Sequence, residues 1–502
     1  MIDTTKVLFV HPHYPDSFWS FKHALRFISK KAAVPPLGLI TVSAMLPNTW
    51  EKKLIDMNVE TLKVKDIQWA DYVFISAMYI QKDSVNKVIE ECIRQGVKIV
   101  AGGPLFTQDY ENYPQIDHMI LNEAEITLPQ FLSDLKNGNP QHIYKTKEYP
   151  DIKSTVVPDF QLLLRKKYAF MSIQVSRGCP FSCDFCEITS LFGHKVRIKS
   201  PAQILNELEK LYQLHWRGNV FIVDDNFIGN KKAIKYELLP AMKEWMQQHN
   251  YPFVFNTEAS IDLADDNELL KLMVDTGFNS VFIGIETPEE NSLHECNKVQ
   301  NKNRNLLDSI KKIQTAGLQV SGGFIVGFDS DSSSVFQRQI DFIQQSGIVS
   351  AMVGLLNAPK NTKLYDRLES ENRLTVESSG NNTDLSMNFI PRMNYQELMD
   401  GYKRVIQEIY TTKPYYKRIR NLLRTYKPRP NANPVKFDIT AMIAFVKSII
   451  IIGMVNRGRR DYWKFMIWTF FKKPSLFADA VSFSIYGYHF RTVYGLKRNK
   501  YR

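Results

Sequence analysis

The sequence predicts an α/β protein: a doubly wound parallel sheet, then a partial β/α barrel, then a helical C-terminal region. Three observations carry this reading. Through the first third, continuous apolar runs alternate with helical periodicity, as in a parallel sheet covered on both faces. From Tyr168 the strand–helix alternation repeats about six times, and such right-handed units curl into a barrel. Beyond residue 427 the composition turns basic and apolar. The expected divisions are 1–145 for the sheet domain, 146–166 for a linker, 167–356 for the barrel, 357–427 for a cap and 428–502 for a helical tail.

In the first domain the strand candidates are Lys6–Val10, Lys52–Asp56, Tyr72–Ser76, Lys98–Ala101 and His118–Leu121. Ser84–Gln95 and Leu128–Leu135 repeat apolar residues at helical spacing. Ligands of such sheets bind beyond the carboxyl ends of the strands. Pro36, Gly38, Asp56, Asn58, Ser76, Gly102, Gly103 and Glu123 fall there and are the candidate binding residues. Gly102 and Gly103 would let a ligand approach the backbone.

The barrel strands are expected at Ala169–Val175, Val220–Val223, Phe253–Asn256, Ser280–Ile285, Gln319–Ile325 and Ala351–Leu355. Helices are expected at Pro201–Gln213, Asn267–Thr276 and Asn303–Ala316. Polar residues gather after the strand ends, where barrel active sites lie: Asp224-Asp225-Asn226, Thr257-Glu258, Glu286-Thr287 and the run Gly322–Asp329.

The chain of 502 residues carries a net charge of +12, which favours an anionic partner such as a membrane surface, a nucleotide or a nucleic acid. The basic residues are spread along the chain without an RNA-binding signature, so no nucleic-acid partner is expected. Five cysteines, an odd number, and an N-terminus without a secretory run fit a reduced, cytoplasmic setting.

Three of those cysteines, Cys179, Cys183 and Cys186, lie within RGCPFSCDFC. A zinc site usually takes four ligands in two separated pairs, whereas here Cys92 and Cys296 are isolated and His194 is poorly spaced. A catalytic thiol needs one cysteine. Three thiolates in one loop suit an iron–sulfur cluster with one iron left open to a small molecule.

CPFSCDFC resembles the CxxxCxxC loop of radical S-adenosylmethionine enzymes, with Phe185 just before the last cysteine. The resemblance implies a [4Fe-4S] cluster held by Cys179, Cys183 and Cys186, with S-adenosylmethionine on the open iron. It further implies that Phe185 lines the adenine pocket and that Asp225 and Asn226 lie near the acidic turn that meets the methionyl amino group. Glu258 and Glu286 would hold ribose hydroxyls or the cofactor's charge, and Gly323, Val326 and Gly327 would pack on the adenosyl part.

With the upstream Rossmann-like sheet, the chain resembles the cobalamin-binding class, and PPLGLITVSAMLP, AGGPLFT, FIVDDNFIGN, FIGIETP and GGFIVGFDSD resemble the hopanoid C-2 methylase subgroup. That implies a methyltransferase acting on an unactivated carbon, with a polycyclic lipid as one candidate substrate and an electron donor such as flavodoxin or ferredoxin. Relatives that rearrange or cyclise their substrates share the same motifs, and a non-catalytic membrane- or nucleic-acid-binding protein with a structural cluster is the third reading. The chain departs from the cobalamin motif DxHxxG: Asn58 stands where the cobalt-ligating histidine would be.

In the tail, Ile439–Val455 is apolar apart from Lys447, and a basic then aromatic segment follows. Seventeen residues are short for a spanning helix. The pattern suits either a helix lying in a membrane interface or a helical pair packed on the barrel.

Overall fold

The computed structural model describes residues 5–376, 378–381, 383–427 and 439–496. Its first sheet consists of β1 (Lys6–His11), β2 (Glu51–Asp56), β3 (Tyr72–Ser76), β4 (Lys98–Gly102), β5 (His118–Ile120) and β6 (Ile143–Tyr144). They run parallel in the order β2-β1-β3-β4-β5-β6. Both faces are covered, which explains the unbroken apolar runs. Along β1, Val7 and Phe9 enter one core while Leu8 and Val10 enter the other. The strand order reverses between β1 and β3, so a crevice opens beyond the ends of these two strands. The two-residue β6 adds an edge strand to the five expected; it is too short to show a pattern of its own.

The second sheet begins with β7 (Phe170–Ile173). A small antiparallel hairpin follows, β8 (Ser176–Arg177) with β9 (Arg197–Ile198). Then come β10 (Gly218–Ile222), β11 (Phe253–Glu258), β12 (Phe278–Glu286), β13 (Gln319–Val326) and β14 (Ala351–Leu355). The order β14-β13-β12-β11-β10-β7 is parallel throughout, a six-stranded partial barrel with β7 and β14 as its edges. The helices Pro201–Gln213 and Asn267–Thr276 form over the spans the periodicity predicts. The next helix starts at Leu306 rather than Asn303, because the Asn305 side chain accepts the Asp308 N–H at 3.1 Å and so caps it.

The cap covers the β14 edge. Helix Tyr395–Tyr410 brings Tyr410 Oη to the Ala351 backbone, donating to its carbonyl at 2.6 Å and accepting its N–H at 3.1 Å. In the tail, helix Phe477–Val493 is buried against the first domain. Phe490 stacks on Phe18 with ring centroids 4.3 Å apart.

A buried charge cluster joins the two sheets. Arg177, on β8, gives Nη1 to Glu123 at 2.6 Å and Nη2 to Glu125 at 2.8 Å. Arg197, on β9, gives Nη2 to Glu123 at 2.7 Å. No side chain in this group is more than 11% exposed. Glu123, expected to contact a ligand, therefore spends both carboxylate oxygens on the hairpin. Removing one member of a buried pair strands its partners' charge. Arg177→Met is thus expected to destabilise the fold by about 3–5 kcal/mol, read as an earlier urea-unfolding transition; a variant as stable as the parent would contradict the buried clamp.

Candidate active site

The carboxyl edges of the two sheets face one cavity of about 1250 Å³. The first sheet contributes His13, Tyr14, Asn58, Met78 and Pro104; the barrel contributes Phe185, Asp225, Phe282, Glu286, Gly323 and Leu355; the cap contributes Leu374 and Asn388.

The cysteine loop hangs from the β8–β9 hairpin over this cavity. Gly178, at φ 91°, starts it; a Cβ there would lie 2.8 Å from the Lys195 carbonyl oxygen, so only glycine fits. Asp224 braces the hairpin, its carboxylate accepting from Val175 N–H at 2.7 Å and Ser176 Oγ–H at 2.6 Å. The loop itself is pinned to the barrel: Asn297 Nδ2 donates to the Ser182 carbonyl at 3.0 Å, and Asp184 N–H to the Cys296 carbonyl at 3.0 Å. Gln300 Nε2 reaches Cys183 Sγ at 3.8 Å.

Cys179, Cys183 and Cys186 are free and half-buried. Burial pushes all three thiols up, Cys186 to about 12, and each is raised further by another cysteine or a nearby carboxylate. Such thiolates are stable only around positive charge, which a metal cluster supplies. Among the described residues no three His, Cys, Asp or Glu side chains converge on a single ion; a cluster of several irons instead takes its thiolates on separate irons. The set fits an iron–sulfur cluster. His194 stays in the loop, its Nδ1 3.4 Å from Ser182 Oγ, and Cys92 and Cys296 are buried in cores.

Beside the loop lies a group of charged side chains. Glu286 sits at φ 63°, a conformation uncommon for a residue with a side chain, where the β12–β13 register shifts. Its Oε1 pairs with Lys298 Nζ at 2.6 Å. Lys298 Nζ also lies 5.9 Å from the Phe185 ring centre. Burial works against its charge, yet the Glu286 carboxylate carries its pKa upward. Burial pushes Asp225 up to about 6 and Glu258 to about 8, the Asp225 charge adding to the second shift. A cation brought beside them would draw both down.

A second cavity of about 270 Å³ opens beside β3 and β4 and shares Pro104, Leu191 and Phe192 with the first. Gly38, Ser76, Gly102, Gly103 and Glu123 line it. Gly103, at φ 90°, keeps the floor low: a Cβ would lie 2.5 Å from Ser76 Oγ. An apolar slot leading off a broad cavity at the switch point fits a bulky cofactor with an extended arm.

Several expected residues are placed differently. Asn226 is buried with Oδ1 on Ser260 N–H at 3.1 Å, holding a turn rather than lining a cavity. Asp56 is buried too, accepting from Tyr168 Oη at 2.9 Å and Asn58 Nδ2 at 2.8 Å. Asn58 does line the large cavity, but its amide is spent on Asp56, on Pro12 O and on Tyr14 N–H. Pro36 precedes the helix Leu37–Met45 and lines neither cavity. Val326 is fully buried and Gly327 turns toward the cap at Leu398; only Gly323 of that trio reaches the cavity. Lys298, Gln300 and Tyr14 were not anticipated, since they belong to no motif and only the topology brings them in.

Sequence comparisons agree with this layout. Residues 27–132 match the B12 binding domain, 173–343 the radical SAM superfamily and 362–501 a domain of unknown function (DUF4070). An uncharacterized methyltransferase of Synechocystis sp. is 40% identical over 97% of this chain and 91% of its own length. The hopanoid C-2 methylase of Rhodopseudomonas palustris is 30% identical over 92% of this chain and 89% of its own. The chain belongs to the cobalamin-binding radical S-adenosylmethionine methyltransferases. The fold is shared with solved cobalamin-binding proteins. OxsB with aqua-cobalamin bound has a TM-score of 0.61 at 15% identity, covering 98% of this chain and 79% of that one. TsrM from Kitasatospora setae with cobalamin and [4Fe-4S] cluster bound has a TM-score of 0.60 at 12% identity, covering 92% and 98%. The cofactors of this methyltransferase are accordingly a [4Fe-4S] cluster, S-adenosylmethionine and cobalamin.

Cys183→Ala is expected to abolish the iron–sulfur absorption of anaerobically prepared protein while cobalamin still binds; an unchanged spectrum would contradict the assignment. S-adenosylmethionine is a cation at its ammonium and sulfonium groups. With that charge beside Asp225 and Glu258, as the resemblance implies, their raised pKa values would be drawn down, protons would leave on binding and affinity would fall as pH drops from about 8 through about 6. Calorimetry in buffers of different ionisation enthalpy reads this release, and Glu258→Gln is expected to diminish it.

Proposed function

We propose that this enzyme places a methyl group on an unactivated carbon of a polycyclic lipid within the large cavity. The observation that carries the reading is that one cavity is bounded both by the cysteine loop and by the switch-point edge of the B12 domain. When bound, the cluster with S-adenosylmethionine supplies a hydrogen-abstracting carbon radical, and methylated cobalamin supplies the methyl group.

The chain's own residues do the rest. Cys179, Cys183 and Cys186 would hold the cluster. Phe185 would line the adenine site, and Asp225, Glu258 and the Glu286–Lys298 pair would meet the amino-acid end and ribose of S-adenosylmethionine. The slot lined by Gly38, Ser76, Gly102 and Gly103, with Asn58 and Tyr14 on the edge of the large cavity, would hold cobalamin. The lipid reading draws on the likeness to a hopanoid C-2 methylase and on the apolar wall of Trp19, Phe282, Ile325, Met352, Leu355 and Leu374. That wall and the cap over it exclude water, which protects reactive carbon centres from quenching. An external one-electron donor, such as a flavodoxin or ferredoxin, completes the cycle.

The test is anaerobic turnover of membrane-lipid extracts with methyl-labelled S-adenosylmethionine. A lipid product heavier by one labelled methyl is expected. A product of unchanged mass would point to rearrangement and overturn the methyl-transfer reading; methylation confined to water-soluble substrates would overturn the lipid reading.

A further inference from the structure

Eleven of the 24 exposed large apolar side chains of the described residues lie between Ile439 and Phe471. They form one face of each of two helices, residues 439–455 and Arg459–Lys472. Ile443, Val446 and Ile450 follow one another at helical spacing and are 41–49% exposed. Ile467, Phe470 and Phe471, on the second helix, are 55–74% exposed. The opposite faces are satisfied: Ala444, Ser448 and Ile452 on the first helix and Tyr462, Phe465 and Met466 on the second are buried. The two exposed faces adjoin through touching rings, Phe470 on Phe477 and Phe477 on Phe445.

Lys447, the one charge inside the apolar run, does not interrupt this face. It turns inward, donating to the Arg26 carbonyl at 2.9 Å and to Ser29 Oγ at 3.1 Å. The surrounding charge is one-signed. Residues 439–473 hold seven lysines and arginines against a single acid, Asp461, which accepts the Thr412 hydroxyl. Arg457, Arg460, Lys464 and Lys472 are exposed. Among the described residues no helix is long and apolar enough to cross a membrane. Apolar and aromatic side chains flanked by basic ones are the composition of helices lying in a bilayer interface.

The position of this face is as telling as its composition. The first helix is mounted on the segment Arg26–Ile28. The flanks of that segment, Trp19, Ser20 and Lys22 on one side and Lys31 to Val34 on the other, line the large cavity.

We propose that these two helices lie in the interfacial plane of an anionic bilayer, apolar faces down, and hold the cavity's rim beside the lipid. The bilayer contact rests on this surface alone; the delivery of substrate through the rim rests on the lipid reading above.

The test is co-sedimentation of the full-length protein with vesicles of phosphatidylcholine alone or mixed with phosphatidylglycerol. Binding to the anionic vesicles is expected, with weak binding to the neutral ones and weakening as salt is raised. The exposed-site variant I450E/I467E/F470E is expected to lose about tenfold or more of this affinity, with circular dichroism and cobalamin binding unchanged. R460E/K464E/K472E is expected to lose the preference for phosphatidylglycerol. Failure of the parent to bind anionic vesicles, or equal binding by the apolar variant, would overturn the proposal. So would a dimer, in the absence of vesicle binding, that the apolar variant breaks apart. Vesicle binding without methylation of any lipid would uphold the bilayer contact and overturn delivery of substrate through the rim.

Discussion

Four buried side chains, Glu123, Glu125, Arg177 and Arg197, hold the geometry on which everything else depends. The glutamates stand just past the B12 domain's fifth strand, Glu123 at the cap and Glu125 in the first turn of the helix Ala124–Lys136. The arginines stand on the two strands of the hairpin that carries the cluster loop. Each carboxylate and guanidinium has left water, and the energy lost is recovered only while the forks remain aligned. A rigid-body shift of one half against the other would strand several charges at once. The clamp therefore fixes where three thiols lie relative to the switch point of the upstream sheet. Behind the hairpin, the buried Lys199–Glu207 pair at 2.5 Å and the Asp224 carboxylate stiffen its root.

Lesser links tie the rest of the rim. Gln108 Nε2 reaches Glu187 at 2.9 Å, next to Cys186, and Lys360 Nζ reaches Asp109 at 2.8 Å from beyond β14. Tyr168, at the start of the barrel, gives its hydroxyl to Asp56. The cavity is thus enclosed by elements remote in sequence but crosslinked by polar contacts. Its walls are apolar, so charges placed at the mouth act in a medium that screens them little. The raised carboxyls Asp225 and Glu258 express this directly.

How much of this was legible in the sequence follows from what each feature depends on. Strand and helix positions depend on local periodicity, and both sheets formed where the apolar runs said, apart from the two-residue β6. The cysteine loop was legible because its three thiols sit close together in sequence. The strand-end residues were legible as a zone but not as individuals. Glu123, Asp56 and Asn226 were candidates for a ligand, yet their neighbours in space claim them: Arg177 and Arg197, Tyr168, and Ser260. A carboxylate's partner is set by topology, and topology is not written beside the carboxylate. Lys298 shows the converse. Nothing around it in sequence marks it, but the short helix Glu290–Glu295 after β12 leads the chain back so that its ammonium meets Glu286 and lies toward the cysteines.

On this reading the clamp holds cluster and cobalamin around one shared space. Pulsed EPR on the anaerobic holoenzyme, with the cluster reduced and cobalamin as Co(II), measures the dipolar coupling between the two paramagnets. A single well-defined coupling is expected in the parent protein, and a broadened or vanished one in Arg177→Met molecules that retain both cofactors. Absence of coupling in a parent loaded with both, or an identical sharp coupling in the variant, would contradict it.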